Sequence, residues 1–78
     1  MTVRLFARVR EAAGADAVHL DLGTASVGAI RSALGGRFPA VAGLIARSAL
    51  AVNSEYAPDD LPVSAADEVA LIPPVSGG

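Results

Sequence analysis

Apolar and polar residues alternate in two runs near the start of the chain, and that period of two constrains the fold more than any other feature. Val3, Leu5, Ala7 and Val9 alternate with Arg4, Phe6, Arg8 and Arg10, and Val18, Leu20 and Leu22 alternate with His19 and Asp21. Successive side chains of a strand point to opposite faces, so each run predicts a strand with one apolar face turned inward. Phe6 departs from the pattern by falling on the arginine side. The connection from Glu11 to Gly14 predicts a short turn or helical piece that joins the two strands as an antiparallel hairpin.

A helical period follows. Ser26 can accept from the free amides of a first helical turn, and Val27, Ile30, Ala33 and Leu34 recur at helical spacing, which predicts a helix over 27–35 ended by Gly35-Gly36. Pro39 suits the first turn of a second, shorter helix whose Val41, Leu44 and Ile45 cover the core's edge. Ala49 to Asn53 reads as a strand and Asn53-Ser54 as a turn. The stretch from Tyr56 to Ala66, with Pro58 and Pro62, reads as loop with a brief edge strand. Asp67-Glu68 opens a last strand, with Val69 and Leu71 on one face and Ala70 and Ile72 on the other, and Pro73-Pro74 stops it. This order predicts an α+β roll in which one main helix packs across a mixed sheet, with no repeat and no linker.

The 78 residues suffice for one domain that buries about 60% of its unfolded surface and has a radius of gyration of about 11–12 Å. Such a body is too small to enclose a substrate cleft and a cofactor, so chemistry is expected at the surface, at a terminus or with a partner. There is no Cys, which excludes a disulfide, a thiolate nucleophile and a Cys-based metal site. All six basic residues are Arg, which excludes a phosphate loop that needs Lys, a Schiff-base lysine and a lysine acceptor for isopeptide bonds. Residues 1–50 set six Arg against Glu11, Asp16 and Asp21, whereas residues 51–78 carry five carboxylates and no base, for a net charge of −2. That balance argues against nucleic-acid binding, and the acidic third suits a partner with basic residues. No apolar run approaches the roughly 18 residues of a membrane span, and Met1 to Arg8 lacks the apolar centre of a signal peptide. No membrane association and a cytoplasmic location are therefore expected.

The body offers little chemistry. His19 is the only His and falls on an outward face without a second ligand, so a surface role is expected and no metal site. The serines have no base nearby, and Asp59-Asp60 and Asp67-Glu68 are adjacent pairs whose side chains diverge, which suits turns and solubility better than acid–base work. Gly35-Gly36 reads as a helix stop and not as a phosphate cradle.

The end of the chain differs. In Pro73-Pro74-Val75-Ser76-Gly77-Gly78, the paired prolines favour an extended segment of about 3.1 Å per residue, reaching some 15 Å from the body. The last two residues have no side chain and can pass through a narrow channel in another protein. A terminal carboxylate is anionic at neutral pH and a poor electrophile. To react it must first be activated, most simply as a mixed anhydride with a nucleotide phosphate.

The run from Asp67 through Pro73-Pro74-Val75-Ser76-Gly77-Gly78 resembles the C-terminal signature of the molybdopterin synthase small subunit family, ubiquitin-like sulfur carriers of the β-grasp fold. The resemblance extends to Phe6-Ala7-Arg8-Val9-Arg10-Glu11, Ser26-Val27-Gly28 and Ala51-Val52-Asn53 and covers essentially the whole chain. Ala66 departs from it, standing where the family commonly has Gly. The resemblance implies a β-grasp domain over 1–74 with a tail over 75–78. It implies that a ubiquitin-activating-like adenylating enzyme uses ATP to make a transient acyl-adenylate at Gly78, and that a sulfur donor protein converts it to a thiocarboxylate. It further implies that Pro73, Pro74, Val75 and Ser76 form an arm inserted into the molybdopterin synthase large subunit, in a heterotetramer with two of each chain. Gly77 lets the tip enter, and the sulfur passes to cyclic pyranopterin monophosphate to build the molybdopterin dithiolene. The chain alone is then non-catalytic, binds no resident cofactor and is one half of a sulfurtransferase. Phe6 and Ile72, on neighbouring strands of such a sheet, are expected to form an apolar partner surface that Tyr56 extends. Three other readings stay open: a thiamine-pathway sulfur carrier, a ubiquitin-like protein modifier joined through Gly78 to target lysines, and a non-catalytic β-grasp binding module.

Overall fold

The computed structural model describes residues 1–74. Strands β1 (Thr2–Arg4), β2 (Ala17–His19), β4 (Ala49–Val52), β5 (Glu55–Tyr56) and β7 (Val69–Ile72) form one sheet in the order β2-β1-β7-β4-β5. β1 runs parallel to β7, with Val3 opposite Val69, and every other neighbouring pair in the sheet is antiparallel. Helix α2 (Val27–Arg37) contributes Val27, Ile30 and Leu34, spaced by three and four, to one apolar cluster with Val3, Leu50, Val69 and Leu71 of the strands. Each of these side chains is fully buried and contributes about 1.5–3 kcal/mol by leaving water, offset by the entropy of ordering it. This is the β-grasp arrangement of a mixed sheet holding one main helix, and its radius of gyration is 11.3 Å.

The predicted hairpin of β1 and β2 forms, with Thr2 opposite His19 and Arg4 opposite Ala17. The first strand is shorter than the alternation implies. It ends at Arg4, Phe6 stays extended at φ −139°, Ala7 turns left-handed at φ 53°, and helix α1 (Ala7–Ala13) follows. Phe6 is therefore not a strand residue but the N-cap position of α1. The pattern misleads because Leu5, Val9 and Ala13 are also spaced by four, so the buried Val9 satisfies both periods while Ala, Arg and Glu favour the helix. Gly14, at φ 70°, closes α1 with its N–H on the Arg10 carbonyl.

Ser26 caps α2 as its hydroxyl accepts from the Ala29 amide at 3.1 Å. Gly35-Gly36 does not end the helix. Both lie inside it, and it stops at Phe38, whose N–H still reaches the Leu34 carbonyl and which precedes Pro39. The residue before a proline is disfavoured in the helical region, so Pro39 rather than the glycine pair sets the boundary. Pro39–Val41 is a 3-10 turn leading into α3 (Ala42–Ala46), whose Ile45 is fully buried with Leu44 and Val41 beside it. Two strands outside the main sheet, β3 (Thr24–Ser26) and β6 (Pro62–Ser64), pair with each other, so the loop after Tyr56 returns to the start of α2. There the carbonyls of Leu61 and Asp59 accept from the Val27 and Gly28 amides at 3.0 and 2.9 Å, occupying donors that a helix start would otherwise leave free. No helix among the described residues is long and apolar enough to cross a membrane.

Candidate functional site

The face of the sheet turned away from α2 carries an open groove of about 340 Å³. Its shape follows from the register. Ala51 and Ala70 are direct partners across β4 and β7, and small side chains at that pair leave a shallow floor. Phe6, Tyr56 and Ile72 stand around it as large walls, with Arg4, Ser54 and Glu68 adding polar groups. Phe6 is 39% and Tyr56 75% exposed. The structure thus brings together the three apolar residues that the sequence singles out, although Phe6 reaches the groove from the bend before α1 and not from a strand. Leu61, also exposed, lies outside it.

The groove runs to the end of β7, beside Pro73. Ile72 pairs with Ala49, the first residue of β4, so the ladder has no partner to offer beyond it. Pro73, which has no N–H to donate, follows partly buried, and Pro74 is exposed. Val75, Ser76, Gly77 and Gly78 lie outside the described residues.

At the opposite end of the groove the sequence missed a polar network. Asn53 and Ser54 form the β4–β5 turn with φ of 51° and 71°, a left-handed pair that matches the twist of a tight hairpin. The Asn53 amide donates to the Glu68 carbonyl at 2.8 Å, and its side-chain oxygen accepts from the Glu68 N–H at 3.0 Å. Its side-chain nitrogen donates to Asp67 Oδ1 at 3.1 Å, and Asp67 Oδ2 accepts from the Ser64 amide at 2.8 Å and from its hydroxyl. The Ser64 backbone bond, then the Asn53 side chain, hold the Asp67 carboxyl below its ordinary value. Asp67 thus works as a turn residue, as expected. The spacing Ser64-x-x-Asp67 was the available signal. Ala66 takes this turn without a left-handed φ, so it replaces a glycine at no backbone cost.

The remaining polar residues do not converge. His19 is exposed on β2 opposite Thr2, Asp59 pairs with Arg31, and Arg10 pairs with Asp16 at 2.7 Å on the surface. Among the described residues no three His, Cys, Asp or Glu side chains gather as a metal would require.

The chain matches the ThiS family model over residues 3–78. It is 40% identical over 81 residues to the molybdopterin synthase sulfur carrier subunit of Dictyostelium discoideum, covering 97% of this chain and 93% of that protein. Small archaeal modifier protein 1 of Haloferax volcanii superposes with a TM-score of 0.80 at 35% identity, covering 95% of each chain. A chain from the complex of subunits 1 and 2 of the molybdopterin-converting factor of Helicobacter pylori shares the fold, with a TM-score of 0.66 at 22% identity over 99% of this chain and 96% of that one.

Proposed function

The chain belongs to the ThiS family, and from that membership and its likeness to molybdopterin synthase sulfur carrier subunits we propose that it is the sulfur carrier subunit of a molybdopterin synthase. In this reading a carboxylate oxygen of Gly78 attacks the α-phosphorus of ATP on an adenylating enzyme, and pyrophosphate leaves. Hydrosulfide released by a donor protein then attacks the acyl carbon, AMP departs with the former carboxylate oxygen, and the terminus is left as a thiocarboxylate. The carrier docks by its groove on the large subunit, two of each chain forming a heterotetramer, and Pro73 to Ser76 lead Gly77 and Gly78 into the partner's site. There the thiocarboxylate sulfur bonds to cyclic pyranopterin monophosphate, and water hydrolyses the acyl–sulfur link so that Gly78 leaves as a carboxylate. The chain holds no cofactor of its own in this scheme.

The observation that carries the reading is the adjacency of Ile72, a wall of the groove, to Pro73 at the root of the tail. A partner that covers the groove takes hold of the segment beside the reacting end, and holding a reactant in place removes much of the entropic barrier. Phe6, Tyr56 and Ile72 provide the aromatic and aliphatic surface typical of interface centres.

Intact mass of the chain isolated after incubation with the adenylating enzyme, ATP and a sulfur donor tests the proposal. Exchange of one oxygen for sulfur at Gly78, followed by its loss on addition of large subunit and pterin substrate, is expected. A chain that never gains sulfur refutes it. The likeness to the Haloferax volcanii modifier favours a second reading, attachment of Gly78 to lysines of other proteins, and lysine-linked conjugates in the same incubation would establish it.

A further inference from the structure

The two ends of the groove are held by different forces. At the Pro73 end, Leu5, Val9 and Leu71 are fully buried next to Phe6 and Ile72 in the sequence or one turn away, so core packing fixes that end. At the other end β5 has only two residues, both exposed, and the buried core reaches Val52 and Val69, where the ladder between β4 and β7 stops. One residue further, the left-handed Asn53 turns the chain away, and its side-chain carbonyl replaces the backbone acceptor that the Glu68 N–H has lost. Asn53 therefore grips Glu68 at both its N–H and its C=O, while Asp67 ties the same side chain to Ser64. Ser54 and Glu68 are the groove residues at this end, and Tyr56, level with the Ala51–Ala70 floor, is carried by the strand that leaves the same turn.

We propose that Asn53, acting through Asp67 and Glu68, is the positioning residue for the far end of the docking groove and sets where Tyr56 and Glu68 meet the partner. The proposal rests on the docking role argued above. Asn is one of the few residues with a side chain that tolerates a left-handed φ, and its side-chain amide both accepts from Glu68 and donates to Asp67, which an Asp carboxylate cannot do. Gly keeps the turn and removes the grip.

The test is Asn53→Gly, read in two ways. In the chain alone, amide hydrogen exchange followed by NMR should quicken about tenfold or more at Glu68, which loses its acceptor, while Leu71 in the core changes less than about twofold. In the complex, affinity for the large subunit should fall about fivefold to tenfold, and the loss should shrink below about twofold in a Tyr56→Ala background yet persist in a Phe6→Ala background. A purely stabilising role would cost the same in both backgrounds. Unchanged exchange at Glu68, or an equal loss of affinity in the two backgrounds, overturns the proposal. A wild-type chain that does not bind the large subunit overturns the functional reading instead, and the exchange measurement still decides whether Asn53 holds Glu68.

Discussion

Phe6 and Ile72 wall the same groove, though one occupies the bend before α1 and the other ends β7. Phe6→Asp should weaken binding to the large subunit about tenfold to a hundredfold, as loss of an aromatic anchor does. Stability should change by less than about 1 kcal/mol, because Phe6 is partly exposed and Asp is favoured at a helix N-cap. Calorimetric titration and a thermal melt measure the two effects, and unchanged affinity would remove the groove from the docking surface.

Leu71 and Ile72 are consecutive yet face opposite ways, Leu71 fully buried and Ile72 partly exposed. Leu71→Ala should cost about 2–5 kcal/mol in urea unfolding, through lost transfer energy and the cavity left behind. Ile72→Ala should cost about 1 kcal/mol or less and act mainly on partner affinity. Equal costs for the two would contradict the assignment of faces.

Gly36 lies inside α2 with a right-handed backbone, and a methyl group there would meet open space. Gly36→Ala should raise stability by about 0.5–1 kcal/mol, the helix-propensity difference between the two residues. A loss in chemical denaturation would mean that the helix ends at the glycine pair after all.

Asp67 has its carboxyl held below the ordinary 3.8 by the Ser64 amide and the Asn53 side chain. A carboxyl whose folded value is depressed contributes stability above its unfolded value, and that contribution is lost as pH falls through the folded one. The stability gap between the wild type and Asp67→Asn should therefore be full above about pH 4 and close progressively at lower pH. A gap that stays constant from neutral pH down to pH 2 would show that the charge on Asp67 has no part in it.

Much of this architecture was legible because local signals and tertiary packing agree. Ser26 caps the helix that its hydroxyl predicts, Asn53-Ser54 makes the predicted turn, and Val69 to Ile72 alternates as a strand between core and open face. The reading failed where one residue served two periods or where the partner lay far away in sequence. Val9 fits strand and helix alike, so the boundary at Arg4 was set by the turn at Phe6-Ala7, which no alternation reveals. β3 and β6 are short and separated by about the whole helical middle of the chain, and their pairing depends on the loop returning to α2. Phe6, Tyr56 and Ile72 could be grouped as an apolar surface only because the β-grasp resemblance sets the segments that carry them side by side. The grip of Asn53 on Glu68 could not be read in this way, since it depends on two backbone positions fifteen residues apart meeting at the end of a ladder.

The parallel pairing of β1 with β7 also has a mechanical side. Val3 and Arg4 lie beside Val69 and Ala70, and β7 is flanked by β4 on its other edge. Tension applied between the start of β1 and the end of β7 runs along both strands in opposite senses. It loads their hydrogen bonds in shear, all at once, where a hairpin end would peel them singly. The strand that leads into Pro73 is thus held along both edges, by β1 and by β4, so a pull at Pro73 must shear both ladders before β7 leaves the sheet.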